Sequence, residues 1–216
     1  MTAMRLLVCA PLGIEARALR AALGPGTVHR TGYGPRRSAR SAASLAGADF
    51  DVLVVAGLAG GVGAEVCTGD VIVADELRGQ RGTVRCPAAP ALAAELRRAG
   101  FPVRCGPIAT AGRVVHGAQR AELARAGVLA VDMESAALAE AAGGRPLGVV
   151  RVVVDTARQP LLRPGTPDRA LTALARLHAI GSCLPRWGRA VLRERTVLRE
   201  RTVLPEIRSA APEEVS

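Results

Sequence analysis

Short apolar runs rich in Val and Ile alternate along the chain with Ala-rich stretches whose apolar positions recur at helical spacing. A run such as Val149-Val150-Arg151-Val152-Val153-Val154 shows almost no polar alternation, the mark of a strand covered on both faces. The pattern predicts strands near residues 5–10, 52–57, 70–76, 104–109, 128–131 and 147–154, and helices near 13–23, 36–47, 88–99, 117–126, 133–142 and 168–183. Gly24-Pro25-Gly26, Gly143-Gly144 and Arg163-Pro164-Gly165 read as turns or helix stops. The fold class this implies is α/β: three layers, α/β/α, around a mixed, largely parallel twisted central sheet.

The last thirty residues break the pattern. Residues 186–201 carry six Arg against two Glu around Trp187, and Arg-Glu-Arg-Thr-Val-Leu occurs twice in succession, at 193–198 and 199–204. A six-residue step turns a helix face by about 240°, so the repeat cannot extend one apolar stripe. The expected division is one α/β domain over 1–185 and a basic C-terminal extension over 186–216. The extension reads as solvated, with peripheral contact to an anionic membrane as its alternative.

The length of 216 residues suits one domain with a core. Hydrophobic residues make up 49% and charged residues 22%, which argues against disorder. All 29 basic residues are Arg, giving a net charge of +10 over 19 acidic residues. The absence of Lys excludes a lysine Schiff base and a P-loop. The aromatics Tyr33, Phe50, Phe101 and Trp187 are too few for a stacking platform, so no nucleic-acid partner is expected. Five Cys without a Cys-x-x-Cys pair fit reduced thiols in a cytoplasmic protein. His29, His116 and His178 are far apart in the sequence, so no metal is expected. The apolar start, Arg5 to Ala10, reads as a buried first strand rather than a leader, and no stretch reaches the roughly 18 apolar residues of a membrane span.

Candidate chemistry falls beside expected strand ends, where open α/β sheets place ligands. Glu15 follows the first strand, Gly57-Leu58-Ala59-Gly60-Gly61 the second, and Asp155 closes the apolar run at 149–154. Asp132-Met133-Glu134-Ser135 forms a strand-to-helix junction. Each also has a plain structural reading. The glycines can serve a tight turn, Asp132 can cap a helix, Glu134 can complement its dipole, and Glu15 and Asp155 can be a solvated helix residue and a loop cap.

Taken together, "GLAGG" at 57–61, "TGDVIVADEL" at 68–77, "LAVDMESAALA" at 129–139 and "VRVVVDTA" at 150–157 resemble the purine and uridine phosphorylase superfamily, in particular the methylthioadenosine/S-adenosylhomocysteine nucleosidase branch. "RTGYGPR" at 30–36, "GPIATAGRVVHGAQRAEL" at 106–123 and "RVVVDTARQPLLRPGT" at 151–166 look like its hopanoid-associated subgroup. The resemblance implies cleavage of the N-glycosidic bond of a purine nucleoside with an apolar 5′ substituent, adenosylhopane giving adenine. It implies a homodimer and no cofactor, or inorganic phosphate if the reaction is phosphorolytic. The alternatives are a methylthioadenosine/S-adenosylhomocysteine nucleosidase, a purine nucleoside phosphorylase and, outside enzymes, a basic module docking on membrane or RNA.

Carried over by position, the resemblance implies that Glu134 accepts the ribose hydroxyls with Met133 against the sugar. Asp155 would protonate purine N7 and Glu15 would deprotonate the attacking water, while Gly60 and the backbone at Val115 would contact substrate. An oxocarbenium-like transition state calls for such groups: negative charge beside the sugar, an acid at the base and a base at the water. The apolar strand before Asp155 is expected to hold it protonated while Glu15 is ionised. Two positions depart from the family pattern: Val154 replaces a common Ser before the acid, and Val114-Val115-His116 replaces aromatics near the base. Hydrolysis is expected over phosphorolysis, because Leu58 and Ala59 offer no hydroxyl and Glu15 would repel an anion. Against this, Arg17, Arg20, Arg36 and Arg37 could supply a phosphate site.

Overall fold

The computed structural model describes residues 4–161 and 165–208, with side chains described up to Leu198. Eight strands, β1 (Leu6–Ala10), β2 (Val28–Arg30), β3 (Val52–Gly61), β4 (Val71–Gly79), β5 (Gly82–Arg85), β6 (Val103–Thr110), β7 (Ala130–Asp132) and β8 (Leu147–Asp155), form one sheet. Among the described residues seven α-helices surround it: α1 (Gly13–Leu23), α2 (Pro35–Leu45), α3 (Ala89–Arg98), α4 (Gly117–Arg125), α5 (Ser135–Ala139), α6 (Thr166–Gly181) and α7 (Leu184–Arg208). This is the expected mixed α/β architecture. The expected turn at Arg163-Pro164-Gly165 lies mostly outside the described residues.

Five strand pairs are parallel, β1 with β2 and β3, β3 with β8, and β6 with β4 and β7. The pairs β3–β7, β4–β5 and β4–β8 are antiparallel. The pairings β3–β8–β4–β6–β7–β3 close a ring, so the centre of the sheet curls on itself and β3 and β8 are buried on both faces. That closure explains why β3 and β8 read as continuous apolar runs rather than alternating ones. Helices α1 and α6 pack together against the β1, β3 and β8 side, α3 packs over β4 and β6, and α2 pairs with α5.

β3 runs four residues past the expected strand, so Gly57 to Gly61 is strand and not the expected loop. No glycine in it adopts a positive φ, which removes the tight-turn reading. What glycine supplies there is room. A Cβ on Gly57 would lie 2.5 Å from Arg151 Nη1 and 2.8 Å from Glu15 Oε1, and one on Gly60 would lie 2.8 Å from Arg120 Nη2. Charged side chains cross the bare strand where any larger residue would block them.

The expected domain boundary after residue 185 is also corrected. It cuts α7, whose Leu184, Trp187 and Val191 are buried in the main core at i, i+3 and i+7. Trp187 is 1% exposed, and a Cβ on the facing Gly148 would lie 2.6 Å from its ring. The first two turns of α7 therefore belong to the domain. Val197 and Leu198 expose their apolar side chains, and the side chains of the second hexapeptide copy lie outside the described residues. Truncation after Leu198 is expected to keep unfolding stability within about 0.5 kcal/mol of the intact chain. Truncation after Pro185 removes Trp187 and is expected to abolish the cooperative transition, which urea denaturation followed by circular dichroism will check.

Candidate active site

β3 is the floor of the site. Glu15, in the first turn of α1, is buried, and its carboxylate accepts two backbone N–H bonds of 2.7 Å, from Leu12 and from Leu58 on β3. The carboxylate thereby fills a nest of donors at a helix start, a place suited to an anion. Burial pushes the Glu15 carboxyl above its ordinary range, and neighbouring Arg151 and the two N–H donors offset only part of that.

Arg151, in the middle of β8, is wholly buried. Its Nε lies 2.9 Å from Asp132 Oδ2, its Nε and Nη2 donate to Ser135 Oγ at 3.2 and 2.9 Å, and Nη2 lies 3.8 Å from Glu134 Oε2. Its Nη1 is buried and has no hydrogen-bond partner among the described residues, and it borders the same Gly57 edge as Glu15 Oε1. One cation thus serves three carboxylates: Asp132, Glu134 and Glu15. The deficit in positive charge shows at Glu134 as well, whose carboxyl is pushed up by burial and by Asp132 despite Arg151.

Glu134 is held by N–H donors from Gly34 at 3.0 Å and Met133 at 3.3 Å. Gly34 follows Tyr33, whose hydroxyl lies 3.0 Å from the Met133 sulfur, so the loop between β2 and α2 covers the Met133–Glu134 pair. Asp132 does cap α5: its Oδ1 accepts the N–H groups of Glu134 and Ser135 and the Thr110 hydroxyl at 2.8–3.2 Å. Glu134 is therefore free of capping duty.

At the far end of β3, Asp155 lies opposite Gly60 in register. Arg120, a buried residue of α4, donates from Nη2 to Asp155 Oδ2 at 2.9 Å and from Nε to the Gly61 carbonyl at 3.0 Å. The expectation that the apolar strand before Asp155 holds it protonated while Glu15 is ionised meets two opposing features: α4 brings a guanidinium to the Asp155 carboxylate, and burial raises the Glu15 carboxyl. Val115 is buried on the loop before α4, the helix that carries Arg120.

The structure brings Glu15, Gly60, Met133, Glu134 and Asp155 to one strand edge. Sequence reasoning missed Arg151 and Arg120. Arg151 had a usable signal, since an arginine inside an otherwise apolar strand covered on both faces must find buried carboxylates. Arg120 had none, because nothing in a polar helix marks the one side chain that turns inward. Among the described residues no His, Cys, Asp and Glu cluster could hold a metal ion, and no helix is long and apolar enough to cross a membrane.

Buried carboxylates thus lie beside a bare strand within an α/β fold, Asp132, Glu134 and Glu15 around Arg151 and Asp155 on Arg120. The fold is shared with solved nucleosidases. S-adenosylhomocysteine nucleosidase from Streptococcus pyogenes superposes with a TM-score of 0.71 at 22% identity, covering 86% of this chain and 98% of that one. The 5′-methylthioadenosine/S-adenosyl homocysteine nucleosidase of Helicobacter pylori gives 0.71 at 17% identity, covering 87% and 98%. The MTA/SAH nucleosidase of Streptococcus pneumoniae gives 0.70 at 23% identity, covering 84% and 99%. A search among curated proteins finds no match. The model of the phosphorylase superfamily matches residues 21–181, and the chain belongs to that family. It is an enzyme of the nucleosidase or nucleoside phosphorylase type.

Proposed function

We propose that the protein hydrolyses the N-glycosidic bond of a purine nucleoside carrying an apolar 5′ substituent, with adenosylhopane as substrate and adenine as the released base. The observation that carries the hydrolytic reading is Glu15. Its carboxylate occupies the two N–H donors of Leu12 and Leu58, where an inorganic anion would otherwise be received. Beside it, Arg151 Nη1 is a buried donor without a partner among the described residues, suited to a water oxygen. A phosphate there would meet a carboxylate at close range, whereas a water is both oriented by the donor and deprotonated by the acceptor.

In this reading the C1′–N9 bond breaks with its electron pair passing to the base, and Asp155 supplies the proton to N7. Glu134 accepts the ribose hydroxyls, and the carboxylates beside the sugar stabilise positive charge growing on the ring. Water adds through oxygen to C1′ while its proton passes to Glu15. The nucleosidases that share the fold are named for methylthioadenosine and S-adenosylhomocysteine, adenosines that carry a thioether at the 5′ position. The homodimer implied by the resemblance is part of the same proposal.

The test follows adenine release in phosphate-free buffer and then adds phosphate. The expected result is an unchanged rate and a free reducing sugar. Strict phosphate dependence with recovery of the sugar 1-phosphate would establish phosphorolysis instead. A series of adenosines with short and long apolar 5′ groups then tests the substituent, and kcat/KM is expected to rise with its length.

A further inference from the structure

Four segments around the site combine exposed apolar tips with exposed arginines. They are the start of α1 after β1, the segment between β2 and α2, the segment between β6 and α4, and the segment after β8. Each presents one large apolar side chain to solvent: Ile14, Tyr33, Val114 and Leu161, all 42–52% exposed. Ile14 adjoins Glu15, Tyr33 touches Met133, Val114 adjoins Val115, and Leu161 follows Asp155 by six residues. Interleaved with them are the exposed residues Arg17, Arg30, Arg36, Arg37, Arg113 and Arg158.

Among the described residues none of these six arginines makes an ion pair. The only carboxylates in the four loops are Glu15, which is buried, and Asp155, which Arg120 holds. The mouth is therefore a ring of uncompensated positive charge studded with apolar tips.

We propose that this mouth docks on an anionic lipid bilayer. Arginines engage lipid phosphates while the apolar tips enter the acyl boundary, the combination that seats peripheral proteins at an interface. A single exposed aromatic, Tyr33, offers no stacking row, which disfavours single-stranded nucleic acid. Two copies meeting through this face across a two-fold axis would oppose six unpaired arginines to six more, which disfavours a symmetric dimer here. Docking places the site against the membrane, so that an apolar 5′ group could pass from the lipid to Glu134 without crossing water. That last link rests on the proposed reaction; the docking does not.

The experiment is co-sedimentation of the full chain with vesicles of phosphatidylglycerol and phosphatidylcholine, against phosphatidylcholine alone, at about 0.05 and about 0.5 M salt. Wild type is expected to bind the anionic vesicles and to release at high salt. Arg36→Glu/Arg113→Glu/Arg158→Glu is expected to lose about tenfold or more in affinity, and Val114→Asp/Leu161→Asp to lose binding that persists at intermediate salt. The equal-charge control Arg97→Glu/Arg98→Glu/Arg189→Glu and the truncation after Leu198 are expected to bind as wild type does. Circular dichroism melts confirm that each variant is folded.

Equal loss in the rim and control variants would overturn the proposal, as would loss on truncation. A rim variant that changes sedimentation of the free protein while leaving vesicle binding intact would mark the face as a contact between copies. Preference for an RNA over the vesicles, insensitive to the apolar pair, would mark it as a nucleic-acid surface. Adenine release by wild type from a soluble nucleoside is measured in parallel. Docking without release refutes the reaction and leaves the surface; release without docking does the reverse.

Discussion

Asp155→Asn is expected to reduce kcat by on the order of 10²-fold or more while leaving KM within a few fold. The reasoning is local. The amide oxygen of Asn can still accept the 2.9 Å bond from Arg120 Nη2, so α4 keeps its hold on the end of β8 and the fold has no cause to change. The amide can also lie against the base as an acceptor or a donor, so substrate binding survives. It cannot give up a proton, and without one the base departs as an anion. Arg120 makes the contrast sharper, because its Nε bond to the Gly61 carbonyl fixes the guanidinium whichever residue stands at 155. Single-turnover measurements with an adenosine substrate, together with equilibrium binding of the same nucleoside, separate the two effects. Wild-type turnover in the variant would remove Asp155 from the chemistry.

The parts of the fold legible from sequence are those where burial alone decides. β3, β8 and the helices α1, α3 and α6 are long enough, and apolar enough on the right faces, for periodicity to find them. β2 and β5 escaped for the opposite reason: β2 is three residues with only Val28 buried, and β5 is an exposed edge closing a hairpin. The core helix start at Leu184 was hidden by the arginines that follow it, although Leu184, Trp187 and Val191 carry the stripe. The hexapeptide repeat was read as evidence about the whole tail, but it begins only after those anchors.

The candidate site was legible as a set of carboxylates and illegible as an electrostatic system. Glu15, Glu134 and Asp155 stand out because acidic residues beside strand ends are conspicuous. The residues that make them usable are cations reached across space: Arg151 from inside a strand and Arg120 from a helix with little amphipathic pattern. Arg120 and Asp155 stand 35 positions apart in sequence, and only the curled sheet brings them together. The glycines show the same limit. Their spacing suggests a turn, and their purpose, room for Glu15 and Arg151 to meet over Gly57, exists only in three dimensions.

Arg151→Met tests that electrostatic system and is expected to damage both stability and rate. Methionine matches the stem of arginine and removes its charge, leaving Asp132, Glu134 and Glu15 in a buried space with no cation among them. Removing one partner from a buried ionic cluster costs about 3–5 kcal/mol, because the remaining charges lose compensation and keep their desolvation. The sign of the pH dependence follows from the raised carboxyls. A carboxyl whose folded value lies above its unfolded one stabilises the fold while protonated, and that contribution is lost as pH rises through the folded value. Taking away Arg151 removes a lowering influence on both Glu15 and Glu134, so the window of loss moves further up. The variant is therefore expected to lose more stability at about pH 8 than at about pH 5, a difference that urea midpoints at the two values will show. In surviving protein, Glu15 should ionise only at higher pH, so the acid limb of kcat/KM should move upward, since the base must be charged to act. Arg151→Lys restores the charge without the fork that spans Asp132 and Ser135, and should recover part of the stability and less of the rate. Equal midpoints at both pH values, with an unmoved acid limb, would show that Arg151 does not govern these carboxylates.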